Sequence, residues 1–207
     1  MMEDNKKIGK EVSQTTINLL SLALPYVSIP NIMRNGAENI ANILLIDKIN
    51  RFLSKQDHDF EEKLKISSKF TKDDRKYKKN VKLIIHNLNS INDDYKIDVY
   101  ANLTRARLCE LLCEDTYLRL TFILSNLHYG DLEYLKENIS RKINVSASSG
   151  EEEPIEVKSL VSHGLIDCIN KHTWGALEGD KTYMKTNLGL EMVRCGIDYE
   201  NYHNYKD

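Results

Sequence analysis

The chain has 207 residues, with 29 Lys and Arg against 31 Asp and Glu, and a formal net charge of −2. This length corresponds to one large or two small domains, and 41% hydrophobic with 29% charged residues excludes a chain that is disordered throughout. The balanced charge argues against binding of nucleic acid through an overall positive charge. The N-terminus is charged and lacks a cleavage pattern, so we expect a cytoplasmic protein with reduced thiols.

Two helices are predicted in the first 54 residues. Residues 12–33 carry no charge and are long enough to cross a bilayer, but Pro25 and Pro30 divide the segment. We expect a helix over residues 6–24 and a second helix from Asn31 to Ser54. Burial in the core is favoured for the uncharged segment, and docking on a membrane or a partner stays open.

The middle of the chain is predicted to be a series of short-looped helices. Charged residues 56–78 suit a surface helix, and residues 77–90 place Val81, Ile84, Ile85 and Leu88 on one side. Asn92, Asp93 and Asp94 are expected to form a turn and to cap the next helix. Residues 96–113 are predicted to form a single helix that places Cys109 and Cys113 on one buried face.

Two further helices are predicted before the chain changes character. The first starts near Asp115 and is expected to bury Leu118, Phe122, Ile123 and Leu127, and the second covers residues 131–139. Helices joined by short loops indicate an antiparallel bundle.

Charge is unevenly distributed along the chain. Residues 61–82 contain nine basic and four acidic residues, whereas the chain from Gly150 onward contains six basic and eleven acidic residues. A solvated helix face is the simplest interpretation of the first cluster. Its basic residues also form a candidate basic patch, consisting of Lys69, Lys72, Arg75, Lys76, Lys78 and Lys79.

The clearest boundary is the sequence NVSASSGEEEP at residues 144–154, which predicts a flexible acidic loop. It divides the chain into a helical domain over residues 1–143 and a C-terminal module over residues 155–207, which could pack with helices 115–140. The module begins with a short helix ending at Gly164. A β-like stretch broken by Gly175 and Gly179 follows, and a last helix is expected to start at Thr186.

This order of elements resembles the C-terminal part of winged-helix domains. The residues that carry the likeness, over about a quarter of the chain, are Leu160, Gly164, Leu165, Ile166, Tyr183, Thr186 and Gly189. The resemblance implies a recognition helix packed through the apolar pair after the glycine, and a hairpin that forms the wing. Loop 144–154 lies where two helices should adjoin, which implies a degenerate or remodelled helix–turn–helix. The expected fold is mainly α, an antiparallel bundle followed by a winged-helix-like α+β module with one small β-hairpin.

The upstream half resembles helical proteins of prophages and mobile elements that end in a winged-helix-like module. The likeness is carried by the step Tyr100, Ala101, Asn102 and Leu103, and by Leu127 with His128. It implies an accessory protein in conflicts between phage and host. It implies no chemistry.

No nucleophile, phosphate loop or zinc spacing is recognisable, so we expect no enzymatic activity, no cofactor and no metal. The candidate binding face of the module consists of Lys158, His163, Lys171, Trp174, Lys181 and Lys185. Its acidic surroundings favour a protein partner. The alternatives are a winged-helix DNA-binding regulator and, least favoured, a membrane-docking abortive-infection effector; a homodimer stays open.

Overall fold

The computed structural model describes residues 36–56, 74–145, 152–169 and 181–205, and within the first two helices it describes side chains only from residues 44 and 79 onward. The described chain is mainly helical, with one small antiparallel sheet of three strands. The predicted helix over residues 6–24, the uncharged segment 12–33 and most of the charged tract 56–78 lie outside these residues.

The chain divides into two compact units, unit 1 over Met1–Cys109 and unit 2 over Glu110–Asp207. The division falls at the end of a helix, so the loop predicted as a boundary at residues 144–154 lies inside unit 2.

Unit 1 contains three described helices, α1 (Gly36–Ser54), α2 (Asp74–Ser90) and α3 (Asp94–Leu108). Helix α1 packs against both α2 and α3. The predicted apolar side of α2 is confirmed, because Val81, Ile84, Ile85 and Leu88 are all buried. The cap predicted within residues 92–94 is confirmed, and the capping residue is Asp93, whose side chain accepts a hydrogen bond from the Lys96 backbone N–H at 3.1 Å.

The Tyr-Ala-Asn-Leu step supplies the centre of unit 1. Tyr100, Ala101 and Leu103 are fully buried, and the Tyr100 ring lies 5.5 Å from the ring of Phe52 on α1. The Tyr100 hydroxyl accepts a hydrogen bond from the Asn87 side-chain amide at 3.2 Å. These residues therefore tie all three helices together.

Ion pairs hold the outer edge of the α1–α3 contact. The Arg51 guanidinium donates to both carboxylate oxygens of Asp98, at 2.8 and 2.9 Å, and to Asp94 at 3.0 Å. Lys55 adds a second cation 3.6 Å from Asp98. The fork of Arg51 matches a carboxylate geometrically, so this pair fixes orientation as well as charge.

The predicted single helix over residues 96–113 is wrong at its C-terminal end. Helix α3 ends at Leu108, and Glu110 then adopts a left-handed backbone conformation with φ of 61°, which a continuing helix cannot contain. Cys109 is consequently half-buried and Cys113 is exposed before the next helix, so the predicted pair of buried cysteines is also wrong. Leu112 takes the buried position instead.

Unit 2 begins with helices α4 (Glu114–Asn126) and α5 (Tyr129–Asn138). The predicted buried face of α4 is wrong in two positions, because Leu118 is 40% and Phe122 is 71% exposed. Ile123 and Leu127 are buried as predicted. The buried side of the helix is completed by Tyr117, Leu120 and Leu124, which lie opposite Leu118 and Phe122 on the helix.

Helix α5 starts with a capping box that also reaches α6 (Ile155–Ser162). The buried Asp131 carboxylate accepts hydrogen bonds from the His128 backbone N–H at 2.9 Å and from the Ser159 hydroxyl at 2.8 Å. The His128 ring in turn accepts from the Gly130 N–H at 3.2 Å. The Leu127–His128 step is thus a helix start.

The sheet of unit 2 consists of β1 (Ile143–Val145), β2 (Ile166–Cys168) and β3 (Lys181–Lys185), in the order β1-β3-β2. Both outer strands run antiparallel to β3. Asn144 and Val145, predicted to lie in the flexible loop, belong to β1, where Asn144 faces Thr182 and accepts a hydrogen bond from its hydroxyl at 2.9 Å.

A glycine turn joins α6 to β2. Gly164 has a φ of +71°, and the backbone N–H groups of Gly164 and Leu165 donate to the carbonyls of Val161 and Leu160, both at 3.0 Å. This pattern of bonds is the Schellman motif, in which glycine takes the left-handed position at the helix end. The predicted end of the helix at Gly164 is confirmed.

The final helices are anchored on the same turn. Helix α7 (Asn187–Glu191) is capped by Thr186, whose hydroxyl accepts from the Gly189 N–H at 3.0 Å and donates to the Gly164 carbonyl at 2.7 Å. Gly189 lies so close to Leu165, the residue before β2, that a Cβ atom there would be 2.0 Å from the Leu165 carbonyl oxygen. The predicted helix start at Thr186 is confirmed. The chain continues as a π-helix over Met192–Ile197 and a 3-10 helix over Tyr199–Asn204.

Candidate functional site

The helix α6 and the hairpin strands β2 and β3 form the candidate site. Of its six predicted residues, Lys158 lies exposed on α6, and Lys181 and Lys185 lie at opposite ends of β3. His163 ends α6, with its Nδ1 atom 2.8 Å from the Ser159 carbonyl oxygen. Lys171 and Trp174 lie outside the described residues.

Glu153, which was predicted to lie in a flexible loop, connects the start of α6 to β3. Glu153, just before α6, accepts a hydrogen bond from the Tyr183 hydroxyl and lies 3.0 Å from the Lys181 ammonium. The bond from Tyr183 lowers the pKa of Glu153, and the bond from Lys181 acts in the same direction. Burial and the bond to Glu153 raise the pKa of Tyr183. Glu153 thus ties the start of α6 to β3 and offsets the charge of Lys181.

Replacing Glu153 with glutamine is expected to make the free energy of unfolding of unit 2 vary less with pH in the acid range. Because the folded-state pKa of Glu153 is lowered, its contribution is complete above the pKa of the unfolded glutamate and is lost as pH falls through the lower folded value. We expect the variant to be about 1 kcal/mol less stable at pH 7, the difference between a hydrogen bond to a charged group and one to a neutral group.

Urea unfolding at several pH values between 3 and 7 measures this. The difference in free energy of unfolding between wild type and Glu153→Gln should become smaller toward pH 3. The neighbouring exposed residue Glu152 provides the control, since Glu152→Gln removes the same charge without the two bonds. A gap of constant size across the whole pH range would show that Glu153 is not held by these partners.

The most exposed apolar side chain in the described part of unit 2 lies at the start of α6. Ile155 is 75% exposed, directly after Pro154, and acidic residues Glu152 and Glu156 lie close to it in sequence. The next is Phe122 on α4. A single exposed apolar residue is common on protein surfaces, whereas a contiguous exposed apolar patch marks an interaction site. The sequence pattern identifies neither residue as exposed, and for Phe122 it predicted burial.

The candidate basic patch is only partly described. Lys69 and Lys72 lie outside the described residues, and for Arg75, Lys76 and Lys78 the structure describes the helical backbone of α2 alone. Lys79 is exposed on α2. Lys82 and His86, which the prediction left out, follow it on the exposed side of the same helix.

Within the described ranges, no three side chains among His, Cys, Asp and Glu are grouped as a metal site would require. None of the described helices combines the length and apolar composition needed to cross a membrane. No protein-family model, curated protein or solved structure matches the chain.

Proposed function

We propose that the chain is a non-enzymatic accessory protein of a phage or mobile element that binds and modulates a host or defence protein through unit 2. The observation that carries the proposal is the exposed Ile155 among acidic residues, at the start of the helix that precedes the hairpin. The origin in a phage or mobile element rests on the sequence resemblance alone.

Several features support a winged-helix-like arrangement of unit 2. Helix α6 directly precedes the strand pair β2–β3, as a recognition helix precedes a wing. Residues that carry the resemblance also contact one another. The Thr186 hydroxyl caps α7 by accepting from the Gly189 N–H, and it donates to the carbonyl of Gly164. Leu160, Leu165 and Ile166 are buried beneath this turn.

The exposed side of α6 favours a protein over DNA. A helix that enters a DNA groove needs cations to meet phosphates and polar groups to meet base edges. The described exposed residues of α6 are Ile155, Lys158 and Ser162, and the nearby Glu153 carboxylate interacts favourably with both Lys158 and Lys181. The helix therefore has little positive charge available for a duplex.

The charge of unit 2 indicates the chemistry of its partner. Residues 110–207 contain seventeen acidic and ten basic residues. A partner that complements this unit presents a basic rim around an apolar pocket for the Ile155 side chain, since opposite potentials speed association and select partners. A few residues that fill pockets on the partner commonly supply much of the binding energy of an interface.

Replacing Ile155 with aspartate tests the proposal. Ile155 is the first residue of α6, where an acidic side chain suits the helix dipole, so the variant should fold. The partner for this test is the protein that the wild-type chain captures from lysate of its natural host. We expect the affinity of the variant for this partner to be at least about tenfold lower, as for loss of an anchor residue. The measurement is titration of that purified partner by isothermal calorimetry.

Leu44→Asp is the matched control, because Leu44 is an exposed apolar residue of unit 1, at 54%. It should leave affinity unchanged. Equal loss in both variants, or loss only with Phe122→Asp, would contradict the assignment of the contact to α6.

A further inference from the structure

The first turn of helix α6 depends on contacts from outside the helix. Helix α6 has only eight residues, and helices this short are marginal in isolation. Its N-cap residue is Pro154, whose ring offers no hydrogen-bond acceptor to the first turn. The buried residues of α6, Val157 and Leu160, lie further along the helix. The exposed Ile155 therefore lies on a turn that the helix itself holds weakly.

Strand β3 supplies two bonds immediately before this turn. The Tyr183 hydroxyl donates to the Oε1 atom of Glu153, and the Lys181 ammonium lies 3.0 Å from the Oε2 atom. The two donors are two residues apart on one strand, so they lie on the same face of the sheet. Each oxygen of the Glu153 carboxylate thus has its own partner, and the side chain is fixed in two directions.

Tyr183 is a rigid anchor for the Glu153 carboxylate. It is 3% exposed and lies in the central strand, opposite Ile143 of β1 and Cys168 of β2. The Glu153 side chain is only 17% exposed in spite of its charge. A charged group withdrawn from water to this degree requires partners. The bonds from Tyr183 and Lys181 meet this requirement, and both lower the pKa of Glu153.

A single residue, Pro154, separates Glu153 from Ile155. Its ring restricts the backbone torsion φ, which is −50° here, so the chain between the two side chains has little freedom. The position of Ile155 is consequently coupled to that of the Glu153 carboxylate, and through it to β3. A contact residue that is ordered before association binds more tightly, because less conformational freedom is lost on binding.

Lys181 is better explained as a partner of Glu153 than as a contact residue. The acidic balance of unit 2 indicates a partner with a basic rim, which would repel an unneutralised lysine. The bond to Glu153 offsets the charge of Lys181. Lys181, predicted as part of the binding face, therefore serves the contact by holding Glu153.

We propose that Glu153 is a positioning residue for the protein contact: held by Tyr183 and Lys181, it fixes the first turn of α6 and presents Ile155 to the partner. This role rests on the proposed function, because it concerns the same contact. It gives the bonds of Glu153 an effect on affinity in addition to their effect on stability. Tyr183 is too deeply buried to touch a partner, so its hydroxyl acts on affinity through Glu153.

The first test is made on the free protein with Tyr183→Phe, which removes one hydroxyl and changes no charge. The Lys158 amide closes the first turn of α6 by donating to the Pro154 carbonyl at 3.2 Å. In the variant we expect this amide to exchange with solvent at least about fivefold faster, because the turn opens more often. NMR spectroscopy measures the exchange, and relaxation of the Ile155 methyl groups should show motion of larger amplitude.

The second test is calorimetric titration with the purified host protein that the wild-type chain captures from lysate. We expect Tyr183→Phe to bind roughly threefold to tenfold more weakly, as for the loss of order at one contact residue. Glu153→Gln should also bind more weakly. The double variant should lose less binding free energy than the sum of the two single variants, because both changes affect the same bond.

Tyr205→Phe is the matched control, because it also removes a tyrosine hydroxyl that donates to a carboxylate, that of Asp198 near the end of unit 2. It should change neither the Lys158 exchange nor the affinity. Unchanged exchange in Tyr183→Phe, faster exchange with unchanged affinity, or additive losses in the double variant would each overturn the positioning role. Absence of a captured partner would instead overturn the proposed function, and the exchange data would still decide whether Glu153 fixes the start of α6.

Discussion

Replacing Gly189 with alanine is expected to unfold unit 2 or to destabilise it by more than about 3 kcal/mol, beyond the usual range for a point substitution. The added Cβ would lie 2.0 Å from the Leu165 carbonyl oxygen, and backbone must move to relieve that contact. Movement there breaks the bond from the Thr186 N–H to the same carbonyl, at 3.0 Å, and displaces the turn that ends α6. One methyl group therefore disturbs a helix, a strand and a cap together.

Hydrogen exchange followed by mass spectrometry localises this effect, since peptides from residues 152–169 and 181–205 should lose protection while those of α1 to α3 keep it. Two glycines of the same unit serve as controls. Gly130→Ala has room, with its nearest neighbour the His128 ring at 3.4 Å, and should be neutral or slightly stabilising. Gly164→Ala meets nothing within 4 Å and should cost only the backbone strain of its positive φ, roughly 1–2 kcal/mol. Equal stability of all three variants would contradict the close approach of Gly189 on α7 to the Leu165 backbone.

Replacing Tyr100 with alanine is expected to cost about 3–5 kcal/mol, the range for truncating a large aromatic residue in a core. Tyr100 is fully buried, its ring contacts Phe52 of α1, and its hydroxyl accepts a hydrogen bond from the Asn87 side-chain amide of α2. Removing the side chain therefore opens a cavity where three helices meet. Tyr100→Phe keeps the ring and should cost about 1 kcal/mol or less, because the half-buried Asn87 can bond to water instead.

Urea unfolding monitored by circular dichroism gives both values. The informative quantity is the difference between the two variants of Tyr100, since it isolates packing from the hydroxyl. A tyrosine-to-alanine cost as small as the tyrosine-to-phenylalanine cost would mean that the ring does not fill the centre of unit 1.

The spacing of apolar residues along the sequence predicted helices well where these residues occupy only one side of the helix. Helix α2 is such a case, because its four apolar positions face the core and its charged positions face outward. Local polar residues were equally informative, since the turn predicted at residues 92–94 contains the cap of α3 and the helix predicted to start at Thr186 begins there. These features depend on neighbours three or four residues away, which a sequence displays directly.

In helix α4 the spacing of apolar residues did not predict which side is buried. Apolar residues occupy both of its sides, so its period alone could not decide whether Phe122 or Leu124 faces the core. The end of α3 was missed because Glu110 adopts a positive φ without being glycine, which carries no recognisable signal.

The candidate site depended on contacts that are distant in sequence. Glu153 lies within a run of glutamates that predicts a solvated loop, yet its hydrogen-bond partner Tyr183 comes 30 residues later. Ile155 is an apolar residue at the start of a short helix, and only the fold shows that it is exposed. Such pairings follow from the sheet register and the turn at Gly164, which local patterns do not specify.

The most direct test of the proposed protein binding is affinity capture from lysate of the natural host, at low and high salt and with and without nuclease, comparing wild type with Ile155→Asp and Leu44→Asp. We predict one stoichiometric protein partner that survives high salt and nuclease with wild type and Leu44→Asp, and that is lost with Ile155→Asp. Recovery of nuclease-sensitive and salt-sensitive material alone would contradict a protein-binding function and would make nucleic-acid binding the main activity of the chain.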